Sequence, residues 1–230
     1  MQLRKLADDL WGVEDLLPMP GTRFPVRSAV VRLRSGGLVI LSPLPGLAAL
    51  KPELDALGPT QAFIGPCTLH HLGLEGAHQA WPQAALLSRQ SLQRRRKDLP
   101  WTRLLTDAPD ALWAGELEQE PVGGMPGIDE TVFFHRASGT LLVADVSFNV
   151  LEMEGFFARL FMKLNDAYGR FGPSRIARSM VKDRAALRRS IDRMLAWNPT
   201  RIVPCHGAVL EADARAALER AFAFLPAVQE

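Results

Sequence analysis

Apolar residues in this chain fall in short runs bounded by turn-formers, and recur at helical spacing mainly in its second half. Ser28–Leu33 and Leu38–Leu41 are β-forming runs around Arg34-Ser35-Gly36-Gly37, whose glycines accept positive φ, so the pattern predicts a β-hairpin. Leu10–Val13 predicts an earlier strand, which Pro18, Pro20 and Gly21 interrupt, and Thr22–Pro25 reads as a loop. Leu47–Leu57 predicts a helix closing at Gly58, Gln61–Ile64 a buried strand, Glu75–Ala80 a helix and Ala84–Leu86 a short strand. Trp101–Leu105 fits neither period cleanly. Gly115–Val122 reads as a strand with Glu116, Glu118 and Glu120 alternating outward. Glu130–Phe134 and Thr140–Val143 predict two strands joined by residues 136–139. Residues 150–197 read as helical, broken at Gly169 and Gly172-Pro173. The last helix there is capped by Asp183 and carries Leu187, Ile191, Met194 and Leu195 on one face. Arg201–Val203 predicts a final strand and Glu211–Phe224 a final helix. With no linker or repeat, this order suggests one domain over 1–230, with two β-rich halves and helices outside.

Three of the predicted strands end in polar residues. Pro66–Gly73 follows Ala62-Phe63-Ile64 and holds the adjacent pair His70-His71; Asp145 follows Val143-Ala144; Cys205-His206-Gly207 follows Ile202-Val203-Pro204. These strand ends are expected to meet. Taken singly, each has a plain reading: His70-His71 as hydrogen-bonded loop residues, Asp145 as a helix cap or a turn partner of Ser147 or Asn149, His206 as a loop histidine.

Composition narrows the function classes. At 230 residues with 47% hydrophobic and 23% charged positions, the chain can bury a substantial core. A net charge of +2 gives no case for nucleic acid. Cys67 and Cys205 are too few for a disulfide framework, which points to a reducing compartment. The charged start, Met1–Asp9, is unlike a signal peptide, and no apolar run is long enough for a membrane helix. The expectation is a cytoplasmic protein with no transmembrane segment, acting on a small molecule.

Thr68-Leu69-His70-His71, Trp81-Pro82, Phe133–Arg136, Leu141–Asp145 with Phe148-Asn149, and Ile202–Gly207 follow one another in an order that resembles the metallo-β-lactamase fold superfamily, and within it the DUF4336 branch. The resemblance implies a four-layer αβ/βα sandwich with a helical insertion at about 150–197. Active members carry a His-x-His-x-Asp-His motif, which falls here on Pro66, Thr68, His70 and His71; a later Pro-Gly-His falls on Pro126-Gly127-Ile128. All three ligands of the first metal site are therefore replaced. The second-site positions hold His70, His71, Asp145 and His206, each able to bind a metal. The resemblance thus implies one divalent ion, Zn²⁺ first with Fe²⁺ or Mn²⁺ as alternatives. It implies a hydrolase-like protein activating water against an ester, thioester, amide or phosphoester, with catalytic roles for Asp145 and His70, the latter as general base if it does not ligate. The alternative is a non-catalytic member that binds a small ligand or partner, its metal structural or lost.

Several residues stand beside this reading. Cys67 and Cys205 flank the ligand positions and are small buried residues or parts of a mixed Cys/His site; Asp129 or Glu130 could stand in for the ligand lost at Ile128. His135 is expected to be structural, His78 and Glu75 solvent-facing or capping, and Arg94–Lys97 a solvated basic segment. In 150–197, the Phe156-Phe157-Phe161-Met162 cluster could line a pocket, form a homodimer face, touch a membrane or cover the sheet. Arg159, Lys163, Arg170, Arg175 and Arg178 there favour an anionic ligand.

Overall fold

The computed structural model describes residues 1–19 and 21–226. A seven-stranded sheet runs in sequence order: β1 (Gln2–Ala7), β2 (Leu10–Met19), β3 (Thr22–Arg32), β4 (Leu38–Leu41), β5 (Thr60–Gly65), β6 (Ala85–Ser88) and β7 (Arg103–Leu104). Strands β1 to β4 form an antiparallel meander, and β4 to β7 are parallel. A four-stranded sheet contains β8 (Leu117–Pro121), β9 (Thr131–His135), β10 (Thr140–Val143) and β11 (Arg201–Pro204), in the order β11-β10-β9-β8. The helices are α1 (Lys51–Leu57), α2 (Leu74–Ala80), α3 (Gln90–Arg95), α4 (Phe156–Leu164), α5 (Arg175–Ser179), α6 (Arg184–Ala196) and α7 (Ala214–Ala221).

Successive strand residues face opposite sides of a sheet, and here both sides are covered. On β3, Ala29 and Val31 face the second sheet while Val30 faces the helices; Val39 and Leu41 alternate likewise with Leu38 and Ile40 on β4, and Ala62 and Ile64 with Phe63 on β5. The outer face of the first sheet packs on Leu54, Leu74, Ala77 and Leu92 of α1 to α3. Between the sheets, Phe133, Leu142 and Val203 meet Trp113 and Leu117. On the far side, Val132, Phe134, Leu141 and Ile202 pack under Leu187, Ile191 and Met194 of α6 and Leu218 of α7. The four layers are helices, sheet, sheet, helices.

The first hairpin forms as its pattern predicts, with Ala29 to Arg32 paired to Leu41 to Leu38. Asp183 caps α6 by accepting from the Ala186 amide. Residues 22–25, expected as loop, instead belong to β3, and β2 continues through Pro18, which pairs with Arg23. β1 pairs only as far as Glu14, so Pro18 lies on a free edge where its missing N–H costs nothing. Glu120 does not point outward: it is buried and bonded by Arg193 of α6. The final helix is shorter than expected, and 150–197 breaks into α4, α5 and α6. No helix among the described residues is long and apolar enough to cross a membrane.

Two glycines give a contrast that tests the packing. Gly207 has φ +92°, and a Cβ there would lie 2.1 Å from the Asn149 carbonyl oxygen. Gly76 lies in α2 with open space around it. In chemical denaturation, Gly207→Ala should cost about 2 kcal/mol or more, whereas Gly76→Ala should stabilise by about 0.5–1 kcal/mol.

Candidate metal centre

Parallel strands share a carboxyl edge, and here that edge gathers the polar strand ends. Ser42 follows β4, Pro66–His71 follow β5, Ala144-Asp145 follow β10, and Cys205-His206 follow β11. The structure brings three of the expected ligand residues together. His70 Nε2 lies 3.2 Å from Asp145 Oδ2 and 3.1 Å from His206 Nε2, and His206 Nε2 lies 3.5 Å from Asp145 Oδ1. Cys67 joins them from behind, its thiol donating to Asp145 Oδ2 at 2.9 Å. One ligand atom each from Cys67, His70 and Asp145 falls within 4.8 Å of the others.

His71 does not join this cluster. Its Nδ1 lies 3.0 Å from an Arg96 guanidinium nitrogen, and burial, then Arg95 and Arg96, hold its pKa below the ordinary histidine value. His70 faces the cluster, and His71 faces Arg96 at the end of α3. His135 is buried away from the site against Ser138. Asp129 pairs with Arg89 and Ser91. The positions at which the resemblance places a first site are bonded or packed: Thr68 Oγ1 donates to the Gly127 carbonyl, the Thr68 amide donates to the Ile128 carbonyl, and Ile128 is buried.

Outer contacts orient the two imidazoles. His206 Nδ1 lies 3.1 Å from the Pro25 carbonyl, which can only accept, so Nδ1 carries a proton and Nε2 faces the cluster. The His70 Nδ1 is held by Ser42 Oγ in a short hydrogen bond. Ser42 has φ +53°, a conformation rare for a residue with a side chain, and its carbonyl accepts from the buried Ser28 hydroxyl. Arg27, buried and paired with Glu14, donates to the Pro204 carbonyl and ties β11 to β3 just before Cys205-His206.

Glu130 is the site residue whose role the sequence conceals. It was a candidate stand-in ligand, but its carboxylate turns inward and accepts three consecutive amides: Ala144 at 2.6 Å, and Asp145 and Val146 at 2.7 Å each. Burial, then the Asp145 charge, raises its pKa to about 7, while the three amides pull the other way. Only a shared loop contact, invisible in spacing, reveals this clamp.

The cluster is electrostatically self-matched. Burial disfavours the charged forms of both His70 and Asp145, yet their mutual attraction prevails. His70 is held well above its ordinary 6.5, with Cys205 adding in the same direction; Asp145 is held well below its ordinary 3.8 with help from His206. Burial, then Asp145, pushes the Cys67 thiol well above its usual range, so it stays protonated in this setting. The cluster opens on a cavity of about 210 Å³ lined by Ser42, Leu44, Leu69, His70, Asp145 and His206, with His71 and Leu72 at its margin. Cys67 does not line it.

Four layers, with a polar cluster at the strand ends between them, define a metallo-β-lactamase fold. Similar solved structures include DIM-1 metallo-β-lactamase, 14% identical, with a TM-score of 0.69 over 97% of this chain and 97% of that one. The metallo-β-lactamase from Pontibacter korlensis is 15% identical, with a TM-score of 0.65 over 96% and 98%. The enzyme FIM-1 from Pseudomonas aeruginosa, in its mono-zinc form, is 10% identical, with a TM-score of 0.66 over 97% and 95%. The chain belongs to the DUF4336 family, described as a domain of unknown function, whose model matches residues 7–160. No curated protein matches the sequence.

Two predictions follow from the clamp and the charge pairing. Glu130→Gln keeps the shape but turns an NH₂ donor toward backbone amides, so it should cost about 2–4 kcal/mol in denaturant melts, on the order of one or two charge-assisted hydrogen bonds. In chelator-treated protein, the His70 contribution is complete below 6.5 and is lost as pH rises through its raised pKa. The Asp145 contribution is complete above 3.8 and is lost as pH falls through its depressed pKa. Thermal melts should therefore peak between those values, and His70→Gln should shrink the decline above about pH 7, where the Glu130 change is over; an unchanged decline there would show that His70 does not carry it.

Proposed function

We propose that residues 1–230 form one metallo-β-lactamase-like unit that holds a single divalent ion, Zn²⁺ first with Fe²⁺ or Mn²⁺ as alternatives, and acts as a hydrolase on an ester, thioester, amide or phosphoester. The ligands are His70, Asp145 and His206; His71, bonded to Arg96, is dropped from the set. The observation that carries this reading is the convergence of His70 Nε2, Asp145 Oδ and His206 Nε2 on the floor of one cavity. Two imidazole nitrogens facing each other at 3.1 Å beside a carboxylate form a donor set that suits a borderline divalent cation.

Each residue has a defined task. The Pro25 carbonyl fixes the His206 tautomer, leaving Nε2 free to ligate. Ser42 Oγ can accept the Nδ1 proton of His70, freeing Nε2 for the same purpose. Asp145 supplies the charge, its backbone held by Glu130. Cys67, kept as a thiol behind Asp145, orients that carboxylate and leaves the cavity side open, as a catalytic rather than a closed structural site requires. When bound, the ion would acidify water and polarise the scissile group. We therefore assign the catalytic roles to Asp145 and His70 as the anionic and imidazole groups facing substrate.

A second reading rests on a specific observation: Asp145 is already engaged by Cys67, His70 and His206, so the cluster is satisfied as a hydrogen-bond network. In that case the protein is a non-catalytic binder of a small ligand. Metal analysis separates the two. Protein purified without chelator should carry close to one ion per chain; His206→Ala should lose it, and Ser42→Ala should weaken Zn²⁺ binding about 10–100-fold. Metal-free wild type whose Zn²⁺ affinity is untouched by His206→Ala would leave the network reading.

A further inference from the structure

A second cavity, of about 220 Å³, adjoins the one above the cluster. Its walls include Phe148, Met153, Ala158, Phe161 and Met162, and it shares Met19 and Phe24 with the first cavity. The shared wall reaches the chemistry: the Phe24 ring lies 4.9 Å, and the Phe148 ring 5.5 Å, from the His206 ring between centroids. Its few polar side chains are already used. Thr22 donates to the Glu154 carbonyl, Asn165 to the Phe161 carbonyl, and Ser174 accepts from the Ala177 amide. Methionines give such walls adaptable shape without a polar demand. No lysine or arginine among the described residues lines either cavity. Three of the five basic residues expected to favour an anionic ligand serve elsewhere: Arg170 and Arg178 pair with Asp166, and Lys163 lies over the Tyr168 ring.

We infer that the cavity beneath α4 holds the straight apolar chain of an acyl ester or thioester, with the carbonyl delivered to the His70–Asp145–His206 cluster. The inference rests on the hydrolase reading for its reaction, but not for its binding. A chain lying against Phe24 and Phe148 places its first polar group, the carbonyl, beside His206, and the lack of basic lining gives a phosphoryl group no side-chain partner. In the reaction, water gives its hydroxyl to the acyl carbon, the carbon–oxygen or carbon–sulfur bond breaks, and the remaining proton goes to the departing alcohol or thiol. α4 also leaves Phe156 and Phe157 exposed at 69% and 81%, so an acyl donor could arrive from a lipid surface as well as from solution.

The test is displacement of dansyl-labelled undecanoate by straight-chain fatty acids. Affinity should rise from butyrate through octanoate, by about fourfold per added methylene. Ala158→Trp on α4 and Met153→Trp on the preceding loop fill the cavity from different segments. Either one, if folded by circular dichroism, should cost octanoate at least about tenfold in affinity. Affinity flat with chain length, or unaffected by both variants, overturns the inference whatever the hydrolysis assays show. Chain-dependent binding without cleavage of any ester supports the cavity and removes the hydrolase reading instead. Cleavage of dodecanoyl-coenzyme A or of dodecanoyl phosphatidylcholine vesicles, lost in Asp145→Asn, supports both, and which one is cleaved identifies a soluble or a membrane-borne donor.

Discussion

The Glu130 carboxylate, buried against three successive amides after β10, is the contact on which the rest of the site depends. A loop leaving a strand in the interior must satisfy its backbone donors somewhere, and here one side chain from the neighbouring strand takes all three. That fixes the direction in which Asp145 leaves the backbone. Asp145 in turn gathers Cys67, His70 and His206 from two other strand ends. The arrangement carries a cost, since burial and then the nearby Asp145 charge disfavour the Glu130 carboxylate, and the rise of its pKa to about 7 is the sign of it. The Asp145 charge also lifts His70, and His70 with His206 depresses Asp145, so opposed electrostatic effects meet in the cluster.

How far the sequence discloses this depends on where the determining contact lies. Local signals are legible: the two-glycine turn between Val31 and Val39, the Asp183 cap, and the helical spacing of Leu187, Ile191 and Met194. So are runs buried on both faces, because a strand covered twice needs apolar residues at nearly every position. Contacts between distant segments are not. Glu120 sits in an alternating pattern that points it outward, and only Arg193, from a helix about seventy residues on, makes its burial affordable. Pro18 reads as a strand breaker because nothing local tells that β1 ends opposite Glu14. At the site, three strand ends are visible as polar residues after β-formers. Which of His70 and His71 turns inward is decided by Arg96, and the inward turn of Glu130 by the amides it meets.

The two cavities place the polar and apolar demands of one ligand side by side. The segment between Asp145 and α6 supplies Phe148 and the α4 wall, while the β2–β3 pair supplies Met19 and Phe24. Neither segment belongs to the cluster, yet both touch the His206 ring, so changes in either can alter what is recognised without altering the groups that react.

The hydrogen bonds of Thr68 bear on how this site could be rebuilt. Its hydroxyl and amide knit the turn after β5 to Gly127 and Ile128, so the space that two imidazoles and a third from residue 128 would need is occupied by structural bonding. Installing histidines at 66, 68 and 128 would remove the Thr68 hydroxyl bond to Gly127 and put a polar ring at the buried Ile128 position, while the Thr68 amide bond to the Ile128 carbonyl is independent of side chain. Residues 68 and 128 are thus tied to one another's loops, and a change at either alone disturbs the bonding or packing of both.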